Sequence, residues 1–428
     1  MRIAYLSAGA AGMYCGACLH DNTLAAVLQA MGHETALIPT YTPMRTDETD
    51  VSLDRVFFGA LNIYLQQKLV LFRRLPRLVN RLLDHPGLLG WVARFSSTEG
   101  RDLGGLTLSM LRGEEGNQRR ELERLVDWLE RSFQPDVMHL SNSLFVGLVP
   151  ALKRVLGIPV ICSVQGEDAF LDDLPAACRG KIVKEMRRHA PNVDAFVANS
   201  RYYAGYMASL LEIPAGRMHR IHLGLKLDGH GGGRSSGGPA PFTVGYMARI
   251  CPDKGLHLLV EAFRGLAVEC GRDAVRLRVA GYLGARDRAY FHRLVQRIRS
   301  WGLEGSFEYL GEVDRQEKIA FLGGLDVLSV PTTYREPKGL FVLEALANGT
   351  PVVQPAHGAF PELLDLTGGG ILCEPGSAAS LQRALRDLQS DPALRRELGR
   401  RGRESVHRRF SDRRMGEQTL ELYRTVLA

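Results

Sequence analysis

Two glutamates, Glu336 and Glu344, are separated by seven residues in the segment YREPKGLFVLEALANGTP, which runs from Tyr334 to Pro351. Helix-forming residues follow Gly339, so the first glutamate is predicted just before a helix and the second more than a turn inside it. The unpaired backbone N–H groups of that helix start attract anions or sugar hydroxyls. Carboxylates accept hydrogen bonds from neighbouring hydroxyls, which suits sugars and riboses. Two unrelated surface glutamates are an equal alternative for this segment alone.

Two cations occupy a second motif, YMARICPDKG, in which Arg249 and Lys254 directly follow a predicted strand. Positioned cations can neutralise a diphosphate, and they matter most when its negative charge grows as a glycosidic bond breaks. For this motif alone, two surface charges in an ordinary strand-to-helix loop are the alternative.

The elements that must position these residues form a predicted α/β scaffold, because short apolar strands alternate with helical patterns. The Gly- and Ser-rich stretch 229–241 is predicted to connect a domain at 1–228 with a second domain at 242–411. The predicted strands cover 2–7, 34–38, 137–140, 160–164, 195–198, 242–247, 275–280, 307–310, 327–330, 352–354 and 370–372. Ligands of such sheets bind at the carboxyl ends of the strands, so a cleft shared by the two domains is the expected site.

The motifs together resemble glycosyltransferase family 4, a retaining, metal-independent group with the GT-B fold. The resemblance rests on the E-x7-E pattern with R-x4-K before it, and it extends from GYMARICPDKGLHLLVEAF to ALRRELGRRGRESVHRRFS. It implies two Rossmann-like domains that face each other across a cleft. It also implies that residues 412–428 form a helix that packs back on the first domain.

The resemblance implies specific roles in the second domain. Arg249 and Lys254 are expected on the donor diphosphate and Glu336 on the donor-sugar hydroxyls, and these three are the candidate catalytic residues. Glu344 is expected on the ribose of the donor. The backbone groups expected to contact the sugar and phosphates belong to Gly339, Leu340 and Phe341.

In the first domain the resemblance is looser. The loop 9–16 resembles the glycine-rich loop of the family, and Gly12 within it is a candidate donor-binding residue. Gln165 stands where the family commonly has a histidine, in a segment that here reads QGED and ends at Asp168. Gln165 and Asp168 are candidates for the sugar or acceptor side. His20 is a third candidate, with a helix-start or core histidine as the alternative.

The formal net charge is +7 and the sequence pI is near 9.1, which suits anionic ligands or an anionic membrane surface. Nucleic acid is not expected as a partner, because the basic runs are interleaved with leucines rather than aromatic residues. Residues 55–83 hold six basic residues and no acidic one. This segment is a candidate for peripheral membrane contact or for an acceptor-side flap, and an ordinary packed helix with a solvated face is the alternative.

Seven scattered cysteines and an N-terminus unlike a signal peptide favour the cytoplasm. Peripheral contact at the inner face of the membrane, through residues 55–83, is an alternative. Cys15 and Cys18 form a CGAC, which suggests a redox pair, half of a metal site, or packing beside a loop. No D-x-D sequence occurs, and neither a metal ion nor a cofactor is expected besides the nucleotide-sugar substrate.

The sequence therefore predicts a retaining glycosyltransferase that moves a hexose-type sugar from a nucleotide-diphosphate sugar to an acceptor hydroxyl. The acceptor is left open among glycans, lipids and small molecules. A nucleotide-sugar epimerase of related fold and a non-catalytic nucleotide-sugar-binding protein are the alternatives. A glycoside hydrolase that uses the two glutamates is weaker, because it leaves Arg249 and Lys254 without a role.

Overall fold

The computed structural model describes residues 1–9, 15–58, 100–231 and 241–428. It divides into two compact units. The first unit comprises Met1–Gly224 and Asp412–Ala428, and the second unit comprises Leu225–Ser411. Residues 225–228, which the sequence placed in the first domain, cluster with the second unit. Most of the predicted connector and most of the basic segment 55–83 lie outside the described residues.

The first unit is built on a sheet of six parallel strands in the order β2-β1-β3-β4-β5-β6. The strands are β1 (Arg2–Ser7), β2 (Glu34–Pro39), β3 (Val137–Leu140), β4 (Val160–Val164), β5 (Ala195–Ala198) and β6 (Met218–Arg220). The first five are almost wholly buried, as expected for a parallel sheet covered on both faces.

Eight helices of the described residues belong to the first unit. They are α1 (Gly16–Ala30), α2 (Gly100–Leu111), α3 (Arg119–Trp128), α4 (Val149–Leu156), α5 (Glu167–Asp172), α6 (Ala176–His189), α7 (Arg201–Leu211) and, at the end of the chain, Asp412–Leu427. The last helix packs on α1, where Met415, Leu420 and Tyr423 share an apolar cluster with Leu24 and Leu28. The end of the chain is therefore part of the first core.

The second unit has its own sheet of six parallel strands, in the order β12-β11-β10-β7-β8-β9. The strands are β7 (Phe242–Met247), β8 (Val275–Ala280), β9 (Phe307–Tyr309), β10 (Val327–Leu328), β11 (Val352–Pro355) and β12 (Gly370–Cys373). The strand order reverses between β7 and β10. In open parallel sheets, ligands bind outside the carboxyl ends of the strands at this kind of switch point.

Seven helices cover the second sheet and precede the last helix of the chain, which becomes α15. They are α8 (Leu256–Cys270), α9 (Arg288–Ser300), α10 (Arg315–Gly323), α11 (Leu340–Ala347), α12 (Phe360–Thr367), α13 (Ala378–Ser390) and α14 (Pro392–Arg409). All but one residue of α11 are buried, so this helix lies in the core of the second unit.

The predicted α/β class with two Rossmann-like domains is confirmed. All eleven predicted strands are present with ends that differ by at most two residues. The edge strand β6 was missed, because two of its three residues, His219 and Arg220, are polar and leave no apolar run. No helix in the described ranges is both long enough and apolar enough to cross a membrane.

Candidate active site

Two loops meet at the switch point of the second sheet, one after β7 and one after β10. The backbone N–H of Thr333 donates to the carbonyl oxygen of Asp253 at 2.8 Å, which joins the two loops directly. Gly255 makes this approach possible: its φ is +72°, and a Cβ there would lie 1.8 Å from the carbonyl oxygen of Pro331. The sequence motifs that hold Arg249, Lys254 and Glu336 are thus brought to one edge of the sheet.

Lys254, Tyr334 and Glu336 form a closed set of hydrogen bonds at this edge. Lys254 Nζ donates to Glu336 Oε2 at 2.7 Å and to Tyr334 Oη at 2.6 Å. Tyr334 Oη in turn donates to Glu336 Oε2 at 2.5 Å. Lys254 also lies over the rings of Tyr334 and Phe341, with centroid distances of 5.0 and 5.4 Å.

Glu336 is held in its ionised form. Burial raises its pKa, but the Lys254 ammonium and the hydrogen bonds from Lys254, Tyr334 and Gly339 outweigh burial and lower the pKa to about 2. At neutral pH this carboxylate therefore accepts hydrogen bonds and has no proton to give. Such a group suits sugar hydroxyls.

The start of α11 lies beside this carboxylate. Gly339 precedes the helix in the left-handed conformation, with φ +66°, and its N–H donates to Glu336 Oε1 at 3.3 Å. Leu340 and Phe341 are the first two residues of the helix, where N–H groups have no partner within the helix. The helix start and Glu336 together present donors and an acceptor within one small region.

Arg249 stands at the beginning of the loop after β7, and its side chain is exposed. Tyr246, buried at the end of that strand, donates its hydroxyl to the Arg249 carbonyl oxygen at 3.1 Å and so fixes the backbone there. Lys254 lies five residues further along the same loop.

Glu344 lies inside α11 and forms an ion pair that the sequence did not predict. Its Oε1 accepts from Lys318 Nζ at 2.5 Å, and the two side chains are only 8% and 10% exposed. Lys318 belongs to α10, in the segment DRQEKIAFLGG. In the sequence this lysine is indistinguishable from a solvated residue of an amphipathic helix, so no local signal identifies it.

In the first unit, a buried carboxylate connects two of the predicted residues. Asp21 Oδ1 accepts from Gln165 Nε2 at 2.9 Å and lies 3.2 Å from His20 Nδ1. Gln165 Nε2 also donates to the Ser141 carbonyl oxygen at 2.9 Å. Burial raises the pKa of Asp21, but His20, Ser7 and Gln165 outweigh it and the pKa is lowered. Asp21 was missed, although it follows His20 directly in the sequence.

Asp168 lies beside a second carboxylate, Glu167, and both accept from the hydroxyl of Tyr203, at 3.0 and 2.9 Å. Burial raises the pKa of Asp168 above its usual range. Glu167 also accepts from the backbone N–H groups of Ser143 and Gln165 at 2.8 Å. The carboxylate of Glu167 therefore fixes the backbone of the QGED turn.

The remaining predictions in the first unit concern residues near the start of α1. Gly12 lies outside the described residues. Cys18 is buried and Cys15 half-buried, and no disulfide joins any of the seven cysteines, all of which are described. Across the described ranges, no group of three or more His, Cys, Asp or Glu side chains is arranged to hold a metal ion.

Family models match both units of the chain. Residues 22–224 match the glycosyl transferase 4-like domain, and residues 238–405 match glycosyl transferases group 1. The chain belongs to the group 1 glycosyltransferases. This assignment agrees with the family resemblance of the sequence motifs.

Individual relatives in this family are distant. The chain is 25% identical to a glycogen synthase of Mycobacterium tuberculosis over 69% of its length and 70% of the relative. It is 33% identical to a phosphatidyl-myo-inositol mannosyltransferase of Mycobacterium leprae, over 43% of its length and 46% of the relative.

Among solved structures, HepE from Anabaena in complex with UDP and glucose superposes with a TM-score of 0.68. Its sequence is 18% identical, and the match covers 99% of this chain and all of HepE. At this identity the likeness concerns the fold alone, and it supports the GT-B class.

Proposed function

We propose that this group 1 glycosyltransferase transfers a hexose-type sugar from a nucleotide-diphosphate sugar to an acceptor hydroxyl, with retention of anomeric configuration and without a metal ion. The observation that carries the proposal is the hydrogen-bonded set of Lys254, Tyr334 and Glu336 beside the start of α11, at the switch point of the second sheet. This arrangement groups a cation, a hydrogen-bond acceptor and helix-start N–H groups at one edge of the sheet, which supports binding of the phosphates and sugar of a donor.

In the proposed reaction the bond between the sugar C1 and the diphosphate oxygen breaks, and its electron pair leaves with the diphosphate. Arg249 and Lys254 stabilise the charge that grows on the leaving group. Glu336 accepts hydrogen bonds from the sugar hydroxyls, and Glu344 accepts from the ribose. The acceptor oxygen forms the new bond to C1 from the face that the diphosphate leaves, and its proton passes to a phosphate oxygen. No protein nucleophile takes part.

The ionisation of Glu336 supports transfer over hydrolysis. A glycoside hydrolase needs one carboxylic acid with a raised pKa to protonate the leaving oxygen. Burial alone would raise the pKa of Glu336, yet Lys254 and Tyr334 bring it to about 2. A diphosphate leaving group needs no such proton, because cations stabilise it directly.

The named relatives support the choice of donor. HepE was solved with UDP and glucose, and the mycobacterial relatives are a glycogen synthase and a mannosyltransferase. We further propose a cytoplasmic location. Contact of residues 55–83 with an anionic membrane surface stays a prediction, which co-sedimentation with anionic vesicles at low and high salt tests.

Calorimetric titration of the full chain with UDP, GDP and ADP tests the donor site. We expect Lys254→Ala and Glu344→Ala each to weaken the nucleotide that binds by about tenfold or more, because each loses a charge-assisted hydrogen bond to the ligand. Lys153→Ala is the matched control, since Lys153 pairs with Asp194 at 2.6 Å in the first unit. Unchanged affinity in both site variants overturns the assignment.

The reaction itself is tested by NMR of products from a panel of nucleotide sugars. Retention predicts that donor and product share the same anomeric configuration. Conversion of the donor sugar without any acceptor would indicate the epimerase instead. Donor binding without hydrolysis or transfer across a broad acceptor panel would indicate a non-catalytic binding protein.

A further inference from the structure

We infer that Lys318 is a positioning residue for the donor nucleotide, because it holds the carboxylate of Glu344 in one orientation before the donor arrives. The inference rests on the proposed function, in which Glu344 accepts hydrogen bonds from the ribose.

The pairing of Lys318 with Glu344 is buried and links two helices. Lys318 Nζ lies 2.5 Å from Glu344 Oε1, and both side chains are at most 10% exposed. Removing two charges from water is costly, and apolar side chains of similar size commonly stabilise a core as well or better. Stability is therefore a weak reason for a lysine at this position, whereas the orientation of a ligand-binding carboxylate is a specific one.

Lys318 projects from a firmly held turn of α10. Asp314 and Glu317 cap the helix reciprocally, each side chain accepting from the backbone N–H of the other at 2.9 Å. Arg315 donates to the carbonyl oxygens of Lys226 and Asp228, at 2.7 and 3.0 Å. The backbone that carries Lys318 is therefore held by two sets of hydrogen bonds, those of the helix cap and those of Arg315.

Glu344 is fixed from its own side as well. Asn348, the residue after the buried helix α11, donates from Nδ2 to the Glu344 carbonyl oxygen at 2.9 Å. The Lys318 bond restrains the side-chain rotamer of Glu344 by holding its Oε1 atom. A carboxylate that is already oriented loses less conformational freedom when vicinal ribose hydroxyls bind. The effect belongs to nucleotide binding, and bond cleavage at the sugar is unaffected.

The test compares Lys318→Met, Lys318→Arg and Lys153→Met as full-length proteins, with UDP, GDP and inorganic pyrophosphate as ligands. We expect Lys318→Met to weaken the nucleoside diphosphate by about tenfold and to leave pyrophosphate binding unchanged. In donor hydrolysis by Lys318→Met, KM rises and kcat stays the same.

The rescue and control variants have different expected results. Lys318→Arg restores most of the nucleotide affinity. Lys153→Met, which breaks the pair with Asp194, binds the nucleotide like the natural chain. Lys318→Gln replaces Lys318→Met should the latter not fold, with the same expectation.

Unchanged nucleotide affinity in Lys318→Met overturns the inference, and so does an equal loss for pyrophosphate, which would indicate a general loosening of the unit. The proposed function fails separately. If Glu344→Ala weakens the nucleotide and Lys318→Met does not, only the role of Lys318 is wrong. If Glu344→Ala has no effect, the ribose contact is wrong and the role of Lys318 falls with it.

Discussion

Tyr334 is the residue of the site whose role is least evident from its type. Burial, and then the charge and hydrogen bond of Glu336, raise its pKa well above the usual range, so the phenol stays protonated. It accepts from Lys254 and donates to Glu336. The hydroxyl therefore sets the directions of both side chains, in addition to their direct ion pair.

Replacement of Tyr334 by Phe tests this positioning. We expect kcat/KM for donor hydrolysis to fall by about tenfold to thirtyfold, because Lys254 and Glu336 each lose one charge-assisted hydrogen bond. The measurement is the initial rate over a range of donor concentrations. Tyr309→Phe is the control, since Tyr309 also donates its hydroxyl, to the Gly281 carbonyl oxygen at 2.9 Å. Equal kinetics in the two variants would contradict a positioning role.

At the residue scale, contacts between residues of recognisable sequence motifs were predicted. Contacts that only the tertiary fold creates were missed. Lys254 and Glu336 were assigned to one site, and they lie 2.7 Å apart although 82 positions separate them. Lys318 and Asp21 reach their partners across 26 and 144 positions. The local sequence around each of them does not distinguish a buried lysine or carboxylate from an exposed one, because tertiary packing decides which side chains are buried.

At the element scale, the local patterns were sufficient for every strand with a continuous apolar run. The second sheet was predicted strand by strand, because its strands are short, either apolar or alternating between apolar and polar residues, and bounded by turn residues. The strand order could not be predicted from the local pattern, because β7 pairs with the distant strand β10 as well as with the next strand, β8. That pairing creates the switch point, so the placement of the site depends on topology.

The start of α11 depends on a glycine, and Gly339→Ala tests this. Gly339 has φ +66°, and a Cβ there would lie 2.7 Å from Leu363 Cδ1. We expect the free energy of unfolding to fall by roughly 2–4 kcal/mol, from backbone strain and overpacking together. Donor affinity falls as well, because the Gly339 N–H that bonds Glu336 moves. Denaturant unfolding and nucleotide titration measure the two effects.

Gly157→Ala separates strain from overpacking. Gly157 has the same φ of +66°, ends α4, and has open space where a Cβ would stand. This control is expected to lose only about 1–2 kcal/mol, which is the cost of the left-handed backbone. If the free energy of unfolding falls no more in Gly339→Ala than in Gly157→Ala, the close contact of the added Cβ with Leu363 does not destabilise the protein.

At the scale of the whole molecule, the last helix of the chain is hydrogen-bonded to an inner strand of the first sheet. His139 in β3 bonds through Nδ1 to the hydroxyl of Tyr423 in α15 at 2.6 Å and through Nε2 to Ser163 Oγ at 2.8 Å. These partners are buried and 284 positions separate His139 from Tyr423. The packing of the last helix on the first domain was expected only from the family resemblance, because a local sequence pattern does not show which distant residues a helix contacts.

This buried imidazole makes the stability of the first unit dependent on pH. Burial, and less strongly the charge of His20, lower the pKa of His139 to about 3, although the charge of Asp21 opposes them. The unfolded chain takes up the proton near pH 6.5 and the folded chain does not. The contribution of His139 to the free energy of unfolding is therefore fully present above about pH 6.5 and is lost progressively as the pH falls towards 3. At pH 5 the loss is about 2 kcal/mol.

Replacing His139 by Gln tests this linkage, because an amide keeps hydrogen-bonding groups and cannot titrate. We expect the variant to be less stable than the natural chain at pH 7.5, since two hydrogen bonds lose their geometry, and to lose about 2 kcal/mol less between pH 7 and pH 5. Denaturant unfolding at several pH values measures both effects. Tyr423→Phe is the companion variant: it removes the bond to α15 but leaves a buried imidazole, so the decline with acid should persist. If His139→Gln and the natural chain decline in parallel, the acid sensitivity of the first unit arises from other groups.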